Sequence, residues 1–255
     1  AFGLNTEKTI FYRQSDVPQA TELSWILSCH FPYQRLTLAH SFKDKSDRLS
    51  DVNAGIFTYP MLMAADILLY DAEQVPVGKD QQQHLEMTRD VASRFNNTYG
   101  ETFVLPAAKV NKETQLIHGT NGEKMSKSKG NIIDIFLPVK ALKKQIMGIQ
   151  TDSTSIDEPK DYENCNVFKL YSLIADQNSI TSLKENYING GFGYGHAKTE
   201  LFNYIISKFS KQRESFDHYM SNKDELDEVL KLGALKANKV AQEVLNRVRE
   251  KLGYN

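Results

Sequence analysis

Between Gly119/Gly122 and Gly130 the chain runs Glu123-Lys124-Met125-Ser126-Lys127-Ser128-Lys129, closed by Gly130-Asn131. Three lysines and two serines thus share one short glycine-bounded segment. Glycine tolerates positive φ and leaves such a segment mobile. Lysine contributes a compact, hydrated point charge on a flexible stem. A mobile loop of cations and hydroxyls suits a polyphosphate that must be gripped and then released. The same residue types also serve as a plain solvated loop, so a second constellation has to decide.

That constellation lies at Thr58–Tyr70, followed by Val75-Pro76-Val77-Gly78-Lys79-Asp80-Gln81. Pro60 fits the first turn of a helix, where its missing N–H costs nothing. Met61–Tyr70 is apolar apart from Asp66, which predicts a buried helix. A carboxylate there is expensive unless something hydrogen-bonds it. Helical spacing places Tyr59, Met63 and Asp66 near one face. An aromatic hydroxyl, a thioether and a carboxylate acceptor together suit a flat aromatic ligand carrying an N–H. Pairing of Asp66 with a structural Arg, Lys or backbone donor is the competing reading.

Taken together, the two segments resemble the class I aminoacyl-tRNA synthetases. Lys124–Ser128 spells their KMSKS signature, and Met63–Leu68 with Val75–His84 is similar to the matching stretches of the bacterial tryptophan–tRNA ligase family. The resemblance covers essentially the whole chain. It implies that Asp66 accepts the indole N–H of L-tryptophan, that Met63 packs on the ring, and that Tyr59 and Gln81 sit near the amino group. Gly78, Lys79 and Asp80 would border the adenosine pocket, with Ile117 as an apolar adenine neighbour. Lys124, Met125, Ser126, Lys127 and Ser128 would hold the ATP phosphates; Lys124, Lys127, Ser126 and Ser128 are the catalytic candidates. Mg²⁺ on the phosphates, tRNA-Trp as second substrate and a homodimer are also implied, with Gln19–Phe42 the place for the dimer interface. The tyrosine–tRNA ligases share the architecture and the lysine loop, but Met63–Leu68 and Val75–His84 argue against them. A catalytically incomplete binding module is the rival from another class.

The family needs an N-terminal HIGH-type signature, and none lies within this sequence. The expectation is therefore an N-terminally truncated fragment, inactive alone. The fold class expected is α/β: residues 1–136 form the later part of a Rossmann-type catalytic domain, incomplete at its N-terminus, and 137–255 an all-α domain that binds the tRNA anticodon. The formal net charge is -1, so nucleic-acid contact has to be a local patch. No apolar run approaches transmembrane length. Cys29 and Cys165 make no zinc site, and a reducing cytoplasm is the simpler context.

Pattern and punctuation give the elements. Thr9–Gln14 is expected as a core strand, Gln19–His30 and Pro32–Lys43 as helices, and Asp47–Asn53 as a charged loop. Gly55–Tyr70 is the apolar helix, Val75–Val77 a short strand, and Asp80 the cap of a helix reaching about Asn96. A strand–Gly–Asp–helix junction suits a ligand at the strand's carboxyl end. After Pro138 the chain is helical: Lys140–Ile149, Cys165–Gln177, Ile180–Ile188, Ala197–Tyr219, Asp224–Leu232 and Ala234–Leu252. Gly190–Gly195 lacks the dinucleotide fingerprint and is expected as a helix–helix connection. Trp25 is assigned to core or interface. The cations of 231–251, interleaved with acids, suit a solvated helix face.

Overall fold

The computed structural model describes residues 1–39, 53–78, 81–110 and 117–254. Its contacts divide into two compact units: Ala1–Leu4 with Gln115–Lys223, and Asn5–Thr114 with Asp224–Asn255. The expected boundary at 136/137 is not where packing divides the chain, because the last helix returns to the core of the first half.

In that discontinuous unit the helices are α1 (Gln19–His30), α2 (Tyr33–Leu36), α3 (Ala54–Leu68), α4 (Gln82–Tyr99) and, apart from its first residue, α10 (Lys223–Leu252). Strand β1 (Gln74–Val77) pairs in parallel with β2 (Ala107–Val110), in register Gln74↔Ala107 to Val77↔Val110, with α4 as the crossover. This βαβ unit is the piece of parallel α/β architecture among the described residues. The strand expected at Thr9–Gln14 is not formed: among the described residues the segment has no ladder partner, and it ends in a 3-10 turn at Gln14–Asp16. β propensity becomes a strand only with a neighbour to pair with. Here the segment packs on α10 instead.

α3 begins within one residue of the expected Gly55, and only the reading of Pro60 as a first-turn residue fails. Asn53 caps it by accepting the Ile56 N–H at 3.2 Å, which leaves Pro60 in the helix interior. The cap residue, not the proline, sets the start. α2 is one turn, far shorter than Pro32–Lys43; residues 40–43, and all of Asp47–Asn53 but Asn53, lie outside the described residues.

Two helices were expected on either side of Gly233, yet α10 is continuous. The missing Cβ serves close approach rather than termination: a Cβ at Gly233 would stand 1.9 Å from the Phe11 carbonyl oxygen. Ala237, Ala241, Val244, Leu245 and Val248 then enter one core with Leu23, Leu27, Met61 and Phe95. Arg249 grips Glu22 with two hydrogen bonds at 2.7 and 2.5 Å, and Arg247 reaches Asp71 at 2.5 Å. These cations fasten the helix rather than merely solvating its face.

The other unit carries α5 (Val139–Met147), α6 (Asn166–Ser172), α7 (Gln177–Asn189), α8 (Tyr194–Lys208) and α9 (Ser210–Ser221). Leu142, Ile146, Val167, Leu183, Tyr187, Leu201 and Ile205 form its core. The helix expected at Cys165–Gln177 stops at Ser172, and Asp176 caps the next by accepting the Ser179 N–H at 3.0 Å. Ala197–Tyr219 is two helices meeting at Phe209, whose ring packs against this core. Gly190–Gly193 is the expected connection, with Gly190 and Gly191 at φ 72 and 74. The Lys160 ammonium is buried and donates to the carbonyls of Ser155, Ile156 and Glu158. Among the described residues no helix is long and apolar enough to cross a membrane.

Gly233→Ala sets a side chain against backbone, which no rotamer can relieve. It is expected to destabilise the protein by about 1–3 kcal/mol, seen as a lower denaturation midpoint. Unchanged stability would mean that the Phe11 segment yields at no cost.

Candidate active site

The exposure pattern of α3 has helical period. Pro60, Met61, Ala64, Ala65, Ile67 and Leu68 are buried, while Tyr59, Met63 and Asp66 are half-exposed, continued by Tyr70 just past the helix end. The three side chains predicted to share a face do share it. Asp66 accepts from the Gln14 carboxamide Nε2 at 2.5 Å. Burial pushes its carboxyl above the usual carboxylate range, and the Gln14 hydrogen bond acts in the opposite direction. Ile10, Phe11, Tyr12 and Gln14 line a cavity of about 280 Å³ with Asp66. Tyr12 donates to the Tyr70 hydroxyl at 2.5 Å, and burial pushes both phenols up. The Tyr59 hydroxyl shares a hydrogen bond with Nε2 of His84, a buried residue of α4.

Gly78 follows β1, and its carbonyl accepts the Gln81 N–H at 3.0 Å. Gln81 is half-buried at the start of α4, to which its side chain gives no capping bond. Lys79 and Asp80 lie outside the described residues, and with them the expected Asp80 cap.

The lysine loop belongs to the other unit. His118 and Lys124 form an antiparallel bridge, with the Gly119 N–H donating to Glu123 at 2.7 Å and the Met125 N–H to Ile117 at 2.9 Å. Buried Asn131 fastens this turn. Its Oδ1 accepts the Ser126 N–H at 2.8 Å, and its Nδ2 donates to Asn121 at 2.7 Å and to the Lys124 carbonyl at 3.1 Å. A Cβ on Gly119 would come within 2.4 Å of Asn131. The Ser126 and Ser128 hydroxyls lie 2.8 Å apart. Lys129 is spent on Glu123 at 2.9 Å and holds that carboxyl below its usual range. Lys124 and Lys127 are exposed and, among the described residues, in no ion pair. A backbone-fixed loop therefore presents two uncommitted ammonium groups and a hydroxyl pair, the donor set an oligophosphate requires. Ile117 is half-exposed and lines an apolar cavity of about 330 Å³ with Met125, Ile133 and Ile135.

Gln14, His84 and Asn131 had no place in the sequence-based site. Gln14 stands in a run expected as a strand, where a polar residue is unremarked. His84 lies three residues beyond Gln81, on the same side of the helix. Asn131, polar and directly before Ile132-Ile133, carried the best available signal.

The family model described as tRNA synthetases class I (W and Y) matches residues 1–210. The tryptophan–tRNA ligase of Campylobacter jejuni (strain RM1221) is 47% identical over 253 residues, covering 99% of this chain and 79% of that protein. That of Fusobacterium nucleatum is 46% identical, covering 99% and 78%. A crystal structure of C. jejuni tryptophanyl-tRNA synthetase complexed with ADP and tryptophan matches with a TM-score of 0.95 at 48% identity, over 98% of this chain and 79% of that one. The Mycoplasma pneumoniae enzyme matches at 0.74 and 25% identity, over 99% and 79%. The chain belongs to the class I tRNA synthetases of the tryptophan and tyrosine group and has their fold: mostly helical, with a small parallel sheet. Within that group it belongs with the tryptophan–tRNA ligases.

The raised Asp66 carboxyl has a consequence for stability. The folded state keeps its proton where the unfolded chain, with an ordinary value near ~3.9, has lost it. Stability from this group is thus complete below the ordinary value and is lost as pH rises through the raised one. Asp66→Asn, neutral and isosteric, is expected to melt higher than the natural protein at pH 7. The gap should close as pH falls below the carboxylate range; equal melting temperatures at pH 7 would rule out a charge penalty at Asp66.

Proposed function

We propose that this protein joins L-tryptophan to tRNA-Trp in two steps, selecting the amino acid through Asp66 and handling the ATP phosphates through Lys124–Ser128. The observation that carries the reading is Asp66: a single carboxylate on the half-open face of an apolar helix, held by a neutral amide rather than by a cation. A strong neutral donor such as an indole N–H is what such an acceptor recognises. Met63 on the same face supplies a polarizable thioether for an aromatic ring. Tyr59 and Gln81 are assigned to the amino group, and Gly78, Lys79, Asp80 and Ile117 to the adenosine.

The tryptophan carboxylate attacks the α-phosphorus of ATP; the bond to the bridging oxygen of the β-phosphate breaks, and pyrophosphate leaves. The nucleophile is already an anion, so this step needs no general base. Catalysis is then positioning plus stabilisation of phosphate charge. Lys124 and Lys127 neutralise the departing pyrophosphate, while Ser126 and Ser128 donate hydrogen bonds. Among the described residues no cluster of three His, Cys, Asp or Glu side chains is placed to hold a metal. Mg²⁺ is assigned to the phosphates, where it commonly keeps its waters, and it would offset their charge there. The loop closes on ATP and opens for release. The terminal ribose of the tRNA then takes the tryptophanyl group and AMP departs.

Anticodon contact is assigned to the helices following Pro138. α10 is the weakest candidate among them, since Arg247 and Arg249 are engaged within their own unit. A homodimer through the α1–α2 face is supported by Trp25 and Tyr33, 72% and 66% exposed. Work on tRNA places the protein in the cytoplasm.

Amino-acid-dependent ATP–pyrophosphate exchange by the natural full-length protein tests this reading. Exchange is expected with tryptophan and not with tyrosine. Asp66→Ala should raise the tryptophan requirement and blunt discrimination against phenylalanine, because a site built to bond an N–H rejects analogues lacking it. Lys127→Ala should slow exchange about a hundredfold while leaving tryptophan affinity nearly intact. Exchange with tyrosine alone would overturn the specificity, and equal loss of rate and affinity at Lys127 would make the loop structural.

A further inference from the structure

We infer that Gln14 is a positioning residue for tryptophan selection: its amide N–H, donated to Asp66 Oδ2 at 2.5 Å, fixes the carboxylate plane and leaves Oδ1 to accept the indole N–H. The inference rests on the reading of Asp66 as the indole acceptor.

Three observations carry it. First, Asp66 forms no ion pair and no second side-chain hydrogen bond among the described residues. An aspartate with free χ1 and χ2 would otherwise sample several acceptor directions, and ordering it would weaken binding. Second, Gln14 stands on a fixed base. It opens the 3-10 turn, its carbonyl accepts the Val17 N–H at 3.0 Å, and Val17 is buried. On one side, Arg13 pairs with Asp227 at 2.9 Å and Asp16 at 3.4 Å. On the other, the Asp16 carbonyl accepts from Asn238 at 2.8 Å. The turn is thus tied at two points to α10, whose approach Gly233 permits. Third, the donor is neutral. A lysine or arginine here would satisfy the carboxylate with a full opposite charge and compete with a neutral N–H. A carboxamide orients the group and leaves its negative charge available.

Tyr12 and Tyr70 are the other titratable groups facing Asp66. Their hydroxyls bond each other, and burial keeps both protonated well beyond neutral pH. His84 is held by Tyr59, and Arg13 by its two aspartates. Any contribution of His84 is common to the natural protein and the Gln14 variants, so the difference between them at each pH reports on Asp66 and its immediate partner.

The test is calorimetric binding of tryptophan to the natural full-length protein at pH 8 and pH 5.5, with Gln14→Glu, Gln14→Leu and Asp66→Ala. Gln14→Glu is nearly isosteric on an exposed side chain, so the fold is expected to be kept, as its melting temperature would report. At pH 8 it sets two carboxylates together and should weaken tryptophan about tenfold or more. At pH 5.5 the pair shares a proton, a donor is restored, and the deficit should shrink severalfold. Gln14→Leu removes the donor altogether, so its deficit should persist or grow on acidification. A role in folding alone would give both variants one deficit at both pH values, and that outcome overturns the inference. Natural affinity in both Gln14 variants, with affinity lost in Asp66→Ala, overturns it while sparing the pocket. Natural affinity in Asp66→Ala overturns the pocket and the inference together.

Discussion

The backbone-to-backbone approach of α10 to the Phe11 segment is the constraint on which the surroundings of Asp66, the proposed tryptophan acceptor, depend. At Gly233 there is no room for any side chain. Because the helix can come that close, its small and branched residues Ala237, Ala241 and Val244 finish the core begun by α1, α3 and α4. The same approach brings Asn238 and Asp227 to the residues that carry Gln14. The carboxylate of Asp66 is thus oriented by a short chain of contacts that starts at a missing methyl group in a distant part of the sequence.

The two candidate sites are built on opposite principles. At Asp66 a charge is drawn partly out of water, where burial works against it, and one hydrogen bond holds it in direction. Charge at a protein interior is costly but selective, because a ligand that fails to satisfy it is penalised. In the lysine loop the charges stay in water and the backbone beneath them is fixed. Asn131 spends its carboxamide on the loop's own amide and carbonyl groups, so the peptide frame is ordered while the lysine stems keep their freedom. Such a device fits the proposed role of gripping a phosphate for a moment and letting it go.

How much of this was legible in the sequence depended on whether the signal was local. The face formed by Tyr59, Met63 and Asp66 followed from helical spacing, and the lysine loop from its composition. Helix α1 appears with the bounds its pattern gave. What failed was set by distant partners or by a competing local cue. Pro60 was placed in the first turn of its helix, but the Asn53 cap starts the helix near the expected Gly55 and leaves the proline inside it. Gly233 suggested a helix end, but tertiary packing used its smallness and kept the helix whole. Phe209, with no helix-breaking chemistry, divides α8 from α9 because its ring is drawn to the core. Thr9–Gln14 has the composition of a strand and, among the described residues, lacks a partner. Gln14 could not be found from spacing at all, since its target lies 52 residues away.

The division of the chain also bears on how it is made. Residues 115–223 form a continuous stretch and contain their own core, so they have what they need to close once they have left the ribosome. The earlier stretch, 5–114, does not: part of its core is supplied by α10, which is made only after residues 115–223. Long-range closure of this kind comes late and leaves apolar surface uncovered in the meantime. Residues 5–114 therefore wait for a helix made after residues 115–223, so the order in which these two stretches are made is the reverse of the order in which their cores can close.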